Sequence, residues 1–249
     1  MTASAPTVLA TSIGFDSRAR GPYDWSPGPV FDLAFDLAGA PGRPRICHLA
    51  TATGDDPARV GAFYAAFAGR PVDVSHLSLF TMPTVADVRA HLLAQDVVWV
   101  GGGSVANLLA VWRVHGLDEV LAEAWRAGVV LGGVSAGSLC WHVGGTTDSF
   151  GPHLRPVTNG LALLPHSNSV HHDSEPGRRP LYRRLVGDGT LPAGYASEDG
   201  VGLVYRGTEL VEAVADRPGT SAWHVRRLPG QAPDGTEAEE TRIAPRRLR

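Results

Sequence analysis

The fold class of this chain is decided by residues 96–134, DVVWVGGGSVANLLAVWRVHGLDEVLAEAWRAGVVLGGV. A β-branched run, VVWV, ends in three glycines, a long stretch of helical character follows, and a second apolar run, VVLGGV, closes the unit. Two short apolar strands joined by helix are typical of a βαβ unit, because parallel strands need a crossover connection. The intervening stretch predicts one broken helix or two short ones.

The same alternation extends outward from this unit. It predicts strands over 7–15, 43–52 and 71–80 and helices over 30–39, 57–69 and 85–95. Strands that alternate with helices indicate an α/β fold, here a doubly wound, mostly parallel sheet flanked by helices. The last third is richer in strands and turns, which predicts a β-hairpin-rich C-terminal part. We expect a single domain over 1–228 and a flexible tail over the polar, proline-containing residues 229–249.

Composition excludes several classes of function. The chain has 249 residues and a formal net charge of −3, so it lacks the basic surface typical of proteins that bind nucleic acid or anionic membranes. All 22 basic residues are arginine, which excludes a Schiff-base lysine, a Ser–Lys dyad and a P-loop lysine. The N-terminus shows no signal-peptide pattern and no apolar run is long enough to span a bilayer, so we expect a cytoplasmic protein.

GVSAG, residues 133–137, fits the pattern G-x-S-x-G directly after a predicted strand. In a nucleophile elbow, a serine sits on a sharp strand-to-helix turn and small neighbours prevent clashes. The next backbone N–H, that of Ala136, then donates to an oxyanion. The alternative is a tight structural turn, but the strand-to-helix position favours Ser135 as a nucleophile.

The glycines at 101–103 end the preceding strand. Successive parallel strands place these loops at the same carboxyl edge of the sheet, where open α/β sheets build their sites. Glycine lets a backbone approach a ligand closely, so Gly102 or Gly103 is a candidate second oxyanion donor. A dinucleotide site is disfavoured because the G-x-G-x-x-G spacing is absent.

A serine nucleophile needs a base, and the cluster SVHHDSE at 169–175 follows a predicted strand. Metal binding by this cluster is disfavoured, because adjacent histidines rarely ligate one ion. Cys47 and Cys140 lie in apolar contexts, which predicts two buried free thiols rather than a disulfide or metal ligands. We therefore expect neither a metal nor a cofactor.

Five stretches in this order resemble the peptidase E (aspartyl dipeptidase) family of serine peptidases, to whose wider group cyanophycinase belongs. They are HLATATGDD (48–56), WVGGGSVANLL (99–109), GVSAGSLCWH (133–142), TTDSFG (146–151) and SVHHD (169–173). The resemblance covers most of residues 45–225 and implies the class I glutamine-amidotransferase-like fold.

The resemblance implies a catalytic triad, residue by residue. Ser135 is the nucleophile and His171 the base, and Asp148 matches the aspartate usually assigned as the orienting acid. Asp199 and Glu198 match a second acidic position that could orient the histidine instead. An orienting acid must hydrogen-bond Nδ1 of the base, and the sequence leaves both positions open, with Asp148 preferred.

The resemblance also implies a substrate. Arg178 and Arg179 follow the histidine roughly where the family carries an arginine that binds the aspartyl carboxylate, although a solvated basic helix face explains them equally well. The sequence departs from the family pattern at Ser104–Val105, after the glycines, and at Val170, before the histidine. These departures put strict Asp-Xaa specificity in question.

The sequence therefore predicts a serine peptidase that acts through an acyl-enzyme on short peptides, including those with an acidic first residue. We expect a monomer or homodimer. One alternative is an amidase or cyanophycinase-like hydrolase of side-chain or β-linked amides. Another is a non-catalytic, ligand-binding member of the fold. A Cys-dependent amidotransferase is disfavoured because the elbow residue is serine.

Overall fold

The computed structural model describes residues 5–17, 21, 23–40, 42–228 and 237–249. In chain order its strands are β1 (Thr7–Thr11), β2 (Asp16–Ser17), β3 (Trp25–Ser26), β4 (Arg45–Leu49), β5 (Asp73–His76), β6 (Val97–Val100), β7 (Val130–Val134), β8 (His142–Thr147), β9 (Arg155–Val157), β10 (Leu164–Ser169), β11 (Gly194–Ser197), β12 (Val201–Arg206), β13 (Glu209–Ala215), β14 (Ala222–Arg227), β15 (Ala238–Ile243) and β16 (Arg246–Arg247). Its α-helices are α1 (Pro29–Ala38), α2 (Pro57–Ala66), α3 (Val88–Leu93), α4 (Val105–Val114), α5 (Leu117–Arg126), α6 (Ala136–Leu139) and α7 (Arg178–Gly187), and Thr51–Thr53 form a 3₁₀ helix.

The larger sheet has eight strands in the order β16-β13-β12-β1-β7-β6-β4-β5. From β1 to β5 every neighbouring pair is parallel, whereas β12 and β13 pair antiparallel at the other side. β6 and β7 are neighbours, so the quoted glycine loop and GVSAG leave adjacent strands at one edge. The predicted α/β fold with a mostly parallel sheet is confirmed.

A second sheet has six strands in the order β15-β14-β11-β10-β8-β9. The pairs of β10 with β8 and β11 are parallel, and β14 and β15 add a hairpin at one end. β2 and β3 form a separate antiparallel pair. The C-terminal part is therefore rich in hairpins, as predicted.

The helices follow from apolar spacing and local breaks. In α5, the buried side chains of Leu117, Leu121, Ala124 and Trp125 recur at helical intervals, so one face packs into the core. Gly116 adopts a left-handed conformation at φ 64°, which separates α4 from α5. The predicted break is therefore real. No helix in the described part of the chain is long and apolar enough to cross a membrane.

One apolar core connects both sheets. It contains Val8 and Leu131 of the larger sheet together with Leu164 and Ala222 of the smaller one. A second core packs α1 and α2 on the other face of the larger sheet. This shared core agrees with one domain, but the predicted domain boundary itself stays a prediction.

The expectation of a flexible tail is wrong for the last thirteen residues. Residues 229–236 lie outside the described residues, but β15 pairs with β14 and β16 pairs with β13. Ala238 and Leu248 are buried, and Glu240 accepts hydrogen bonds from His172 and Arg179. A polar composition does not by itself predict a flexible segment, because strands at a sheet edge can carry charged side chains on their outer face.

Candidate active site

Ser135 occupies a strained turn between β7 and α6. Its backbone lies at φ 58° and ψ −112°, a region that non-glycine residues rarely adopt. The Ser135 N–H donates to the Thr11 carbonyl over 3.0 Å, which fixes the turn to the end of β1. A Cβ at Gly137 would collide with the Val100 backbone, so only glycine fits this position. The turn is therefore a sharp strand-to-helix junction closed by small residues, with Ser135 at its apex.

The glycine loop packs directly against this turn. A Cβ at Gly102 would lie 3.2 Å from Ser135 Cβ and 3.8 Å from Ser135 Oγ, and Gly103 adopts φ 138°. Among the described residues, no partner accepts a hydrogen bond from the N–H of Gly102 or Gly103. Ala136 is the first residue of α6, so its N–H has no partner within the helix. Gly102 and Ala136 therefore lie directly beside Ser135, and Gly103 lines a cavity together with it.

His171 follows β10 and is held on two sides. Its backbone, at φ 51°, donates an N–H to Ser12 Oγ over 3.1 Å. Its Nδ1 lies 2.5 Å from Asp199 Oδ1, and since a carboxylate only accepts, Nδ1 carries the proton. In this tautomer Nε2 carries the lone pair that a general base needs.

The environment of Asp199 favours its ionised form. Burial alone would raise the pKa of Asp199, but hydrogen bonds from His171 and Ser174 bring that pKa below its ordinary value. The Asp199 backbone N–H also donates to Asp173 Oδ1 over 2.8 Å. Asp199 is therefore fixed and negative beside the histidine.

The end of β1 joins these groups, and the sequence interpretation missed it. Thr11 anchors Ser135, and the next residue, Ser12, anchors His171. Ser12 Oγ also lies 2.8 Å from Ser197 Oγ, and the Ser12 carbonyl accepts the Gly200 N–H over 3.1 Å. The only signal in the sequence is a small polar residue just after the first parallel strand.

The preferred acid, Asp148, does not contact His171. Asp148 is exposed and makes no side-chain hydrogen bond to the described residues; it lines a cavity of about 300 Å³ together with Ser135 and Glu175. Glu198 accepts hydrogen bonds from the Ser221 N–H and from Trp223 Nε1. Of the three candidates, Asp199 alone is hydrogen-bonded to the histidine.

The two candidate substrate arginines are both paired with glutamates. Arg178 is only 2% exposed and donates to Glu175 and to the Thr146 carbonyl, the latter over 2.7 Å. Arg179 donates to Glu240 Oε2 over 3.0 and 2.9 Å. Because a buried and paired guanidinium group is costly to release, the structure argues against Arg178 as a ligand of a substrate carboxylate. The side chain of Arg179 is 41% exposed, and its role in substrate binding stays a prediction.

The other reactive groups nearby have structural roles. His172 is buried, and its two ring nitrogens lie within hydrogen-bond distance of Ser169 and Glu240. The adjacent histidines of SVHHDSE therefore have different hydrogen-bond partners, because His171 contacts Asp199. Both cysteines are buried free thiols, as predicted. Burial raises the pKa of the Cys47 thiol to about 12 and raises that of Cys140 well above its ordinary range. Neither thiol is suited to nucleophilic catalysis.

Comparisons with known proteins show which family this chain resembles in sequence. A sequence model of peptidase family S51 matches residues 29–213. The "Uncharacterized peptidase YgaJ" of Bacillus subtilis (strain 168) is 42% identical over 183 residues, which cover 74% of this chain and 78% of that protein.

Two solved structures share the fold. A Listeria monocytogenes EGD-e protein described as a "Putative Peptidase E Protein" matches with a TM-score of 0.61 at 18% identity, covering 85% of this chain and 99% of its own. A peptidase from an acI-B1 Actinobacterium also gives a TM-score of 0.61, at 19% identity, covering 95% of this chain and 97% of its own.

Proposed function

Because this chain belongs to peptidase family S51, we propose that it is a serine peptidase of short peptides in which Ser135 is the nucleophile. The observation that carries the proposal is the common anchor at the end of β1. Thr11 binds the strained Ser135 turn, and Ser12 binds the backbone of a histidine whose Nδ1 is occupied by Asp199. A nucleophile, a base and an orienting acid are thereby tied to two consecutive residues.

The proposed mechanism is acyl transfer through this triad. His171 Nε2 removes the Ser135 hydroxyl proton as Oγ attacks the scissile carbonyl, and Asp199 keeps the imidazole in the required tautomer. The N–H groups of Ala136 and of Gly102 or Gly103 hold the tetrahedral oxyanion. His171 then protonates the leaving amine, and water hydrolyses the acyl-enzyme.

The proposed substrates are short peptides with no preference for an acidic first residue. The cavity beside Ser135 is lined by the carboxylates of Asp148 and Glu175, and Arg178 is already paired with Glu175. The charge of Glu175 is balanced by Arg178, so an acidic group entering this cavity would meet the like charge of Asp148. We therefore expect Ala-Xaa dipeptides to be hydrolysed at least as well as Asp-Xaa dipeptides.

The decisive experiment combines labelling and mutation. A fluorophosphonate probe should modify Ser135 and no other serine, as mapped by mass spectrometry. Ser135→Ala should reduce kcat/KM for dipeptides by about 10³-fold or more, because the activated nucleophile is lost. Ser75→Ala, at a half-buried serine on β5, is the control and should retain activity. Unchanged hydrolysis by Ser135→Ala would contradict the proposal.

The substrates tested should include β-linked dipeptides and side-chain amides, which together with the α-dipeptides form a substrate panel. An amidase or cyanophycinase-like enzyme would use the same serine but would favour these bonds over α-peptides. A non-catalytic member of the fold would neither react with the probe nor hydrolyse any member of the panel. The same set of assays thus separates all three functions.

A further inference from the structure

A second cavity borders the glycine loop beside the proposed nucleophile. It has a volume of about 210 Å³, and its walls include the rings of Phe15, Trp25 and Trp99. Phe15 and Trp25 stack with their centroids 4.9 Å apart. Gly102 lines this cavity and also packs against Ser135, so a single glycine lies between the cavity and the Ser135 side chain. We call it the aromatic cavity.

The wall of the aromatic cavity contains a buried hydrogen-bond acceptor. His48 is 4% exposed, and its Nδ1 lies 3.2 Å from the Trp99 carbonyl, which requires Nδ1 to carry the proton. Burial lowers the pKa of His48 to about 4, with further lowering by the nearby charge of Arg59, so the ring is neutral. No hydrogen bond from the described residues reaches its Nε2. An N–H or O–H group of a ligand could donate a hydrogen bond to the lone pair of His48 Nε2.

The aromatic cavity also has a cation in its lining. Arg59, from α2, is 42% exposed at its side chain, and its Nε lies 3.9 Å from Asp56 Oδ2. It makes no hydrogen bond to any residue that the structure describes, unlike Arg45, which donates to both Asp96 oxygens. A half-exposed guanidinium with free donors beside an aromatic cavity is suited to binding a carboxylate.

We propose that the aromatic cavity is the leaving-group subsite of the proposed peptidase and binds a C-terminal tyrosine or tryptophan. The aromatic ring packs among Phe15, Trp25 and Trp99, its polar atom donates to His48 Nε2, and its α-carboxylate pairs with Arg59. The carboxylate contact selects peptides that end one residue after the scissile bond. This inference rests on the proposed function, because it takes Ser135 as the position of the scissile carbonyl.

Binding to Ser135→Ala tests the inference without relying on hydrolysis. Calorimetric titration should give a Kd for Ala-Tyr about tenfold or more below that for Ala-Tyr amide, which lacks the charge-assisted contact with Arg59. The Kd for Ala-Tyr should also lie about tenfold or more below that for Ala-Ala, which lacks the aromatic ring. Ala-Phe should bind less tightly than Ala-Tyr, because its ring cannot donate to His48. In Ser135→Ala/Arg59→Gln, Ala-Tyr and its amide should bind equally. The matched control is Ser135→Ala/Arg126→Gln, since Arg126 is exposed on α5 and distant in the chain from this cavity.

The outcomes separate the inference from the proposed function. Selective binding of Ala-Tyr by the Ser135→Ala protein, with no hydrolysis by the wild type, would support the aromatic cavity as a binding site but would overturn both the peptidase proposal and the role of the cavity as a leaving-group subsite. Hydrolysis of Ala-Ala, Ala-Tyr and Ala-Tyr amide at equal kcat/KM by the wild type and Arg59→Gln would overturn the subsite alone. Failure of the Ser135→Ala protein to bind Ala-Tyr would also overturn it.

Discussion

Ser135 and His171 are both non-glycine residues with positive φ, at 58° and 51°. Such conformations cost on the order of 1–3 kcal/mol each and persist only where the surroundings enforce them. Here the enforcing contacts are hydrogen bonds to Thr11 and to Ser12. Strain at two residues with complementary chemistry is expected where a fold presents a nucleophile and its base.

The orienting acid can be tested by comparing two aspartates. Asp199→Asn should lower kcat by up to about 10⁴-fold, because an amide at this position no longer fixes the productive tautomer of His171. Asp148→Asn should leave kcat within a few-fold, since its carboxylate makes no hydrogen bond to the described residues. Steady-state kinetics on the best dipeptide, with circular dichroism to verify folding, measure both effects. The opposite ranking would restore Asp148 as the acid of the triad.

At the scale of elements, the junction of β7 and α6 depends on backbone contact. A Cβ at Gly133 would lie 2.5 Å from the Gly137 carbonyl oxygen and 2.7 Å from that of Val100. Strand β6, strand β7 and the elbow therefore touch through their main chains. Larger side chains would separate them and displace Ser135.

Two glycine substitutions should have opposite effects on stability. Gly137→Ala should destabilise the protein by about 1–3 kcal/mol or more, because the new methyl group meets the Val100 backbone, which cannot move away as a side chain would. Gly61→Ala should stabilise it by about 0.5–1 kcal/mol, because Gly61 is exposed within α2 and no atom lies within 4 Å of the added methyl group. Urea unfolding measures both free energies. Equal effects would contradict the described packing of α6 on β6.

Across the whole molecule, stability should decline on mild acidification. Burial lowers the pKa of His48 to about 4 and that of His142 to about 3, although hydrogen bonds to backbone carbonyls oppose the shift. Unfolded histidine titrates near pH 6.5. Between these pH values the unfolded state binds more protons than the folded state, so stability is fully present above about pH 6.5 and falls as the pH drops.

The free energy of unfolding should therefore decrease by about 4 kcal/mol between pH 7 and pH 5, because each of the two histidines contributes about 1.4 kcal/mol per pH unit once the pH falls below about 6.5. His142→Gln should reduce this dependence by about half, whatever its effect at pH 7. His115→Gln, at an exposed histidine, should leave the dependence unchanged. Urea unfolding at pH 7, 6 and 5 measures the slopes. An unaltered slope in His142→Gln would exclude His142 as a source.

The alternation of elements was predictable from the sequence because it depends on short-range patterns. The apolar run of β6, the helical spacing in α5 and the small residues around Ser135 each lie within a few positions of one another. The last strand pairs were not predictable in this way. β15 and β16 have polar sequences, and only pairing with β14 and β13 orders them.

The sequence by itself determined the class of fold and the position of the sharp turn at Ser135, because hydrophobic period and turn chemistry are local properties. Tertiary structure decided which acid contacts the histidine, since Asp199 lies 28 residues away and reaches it only when β10 and β11 pair. It also removed Arg178 from the substrate candidates, because the Thr146 carbonyl that binds it lies 32 residues away. Hydrogen bonds between distant residues depend on chain folding, which no local pattern specifies.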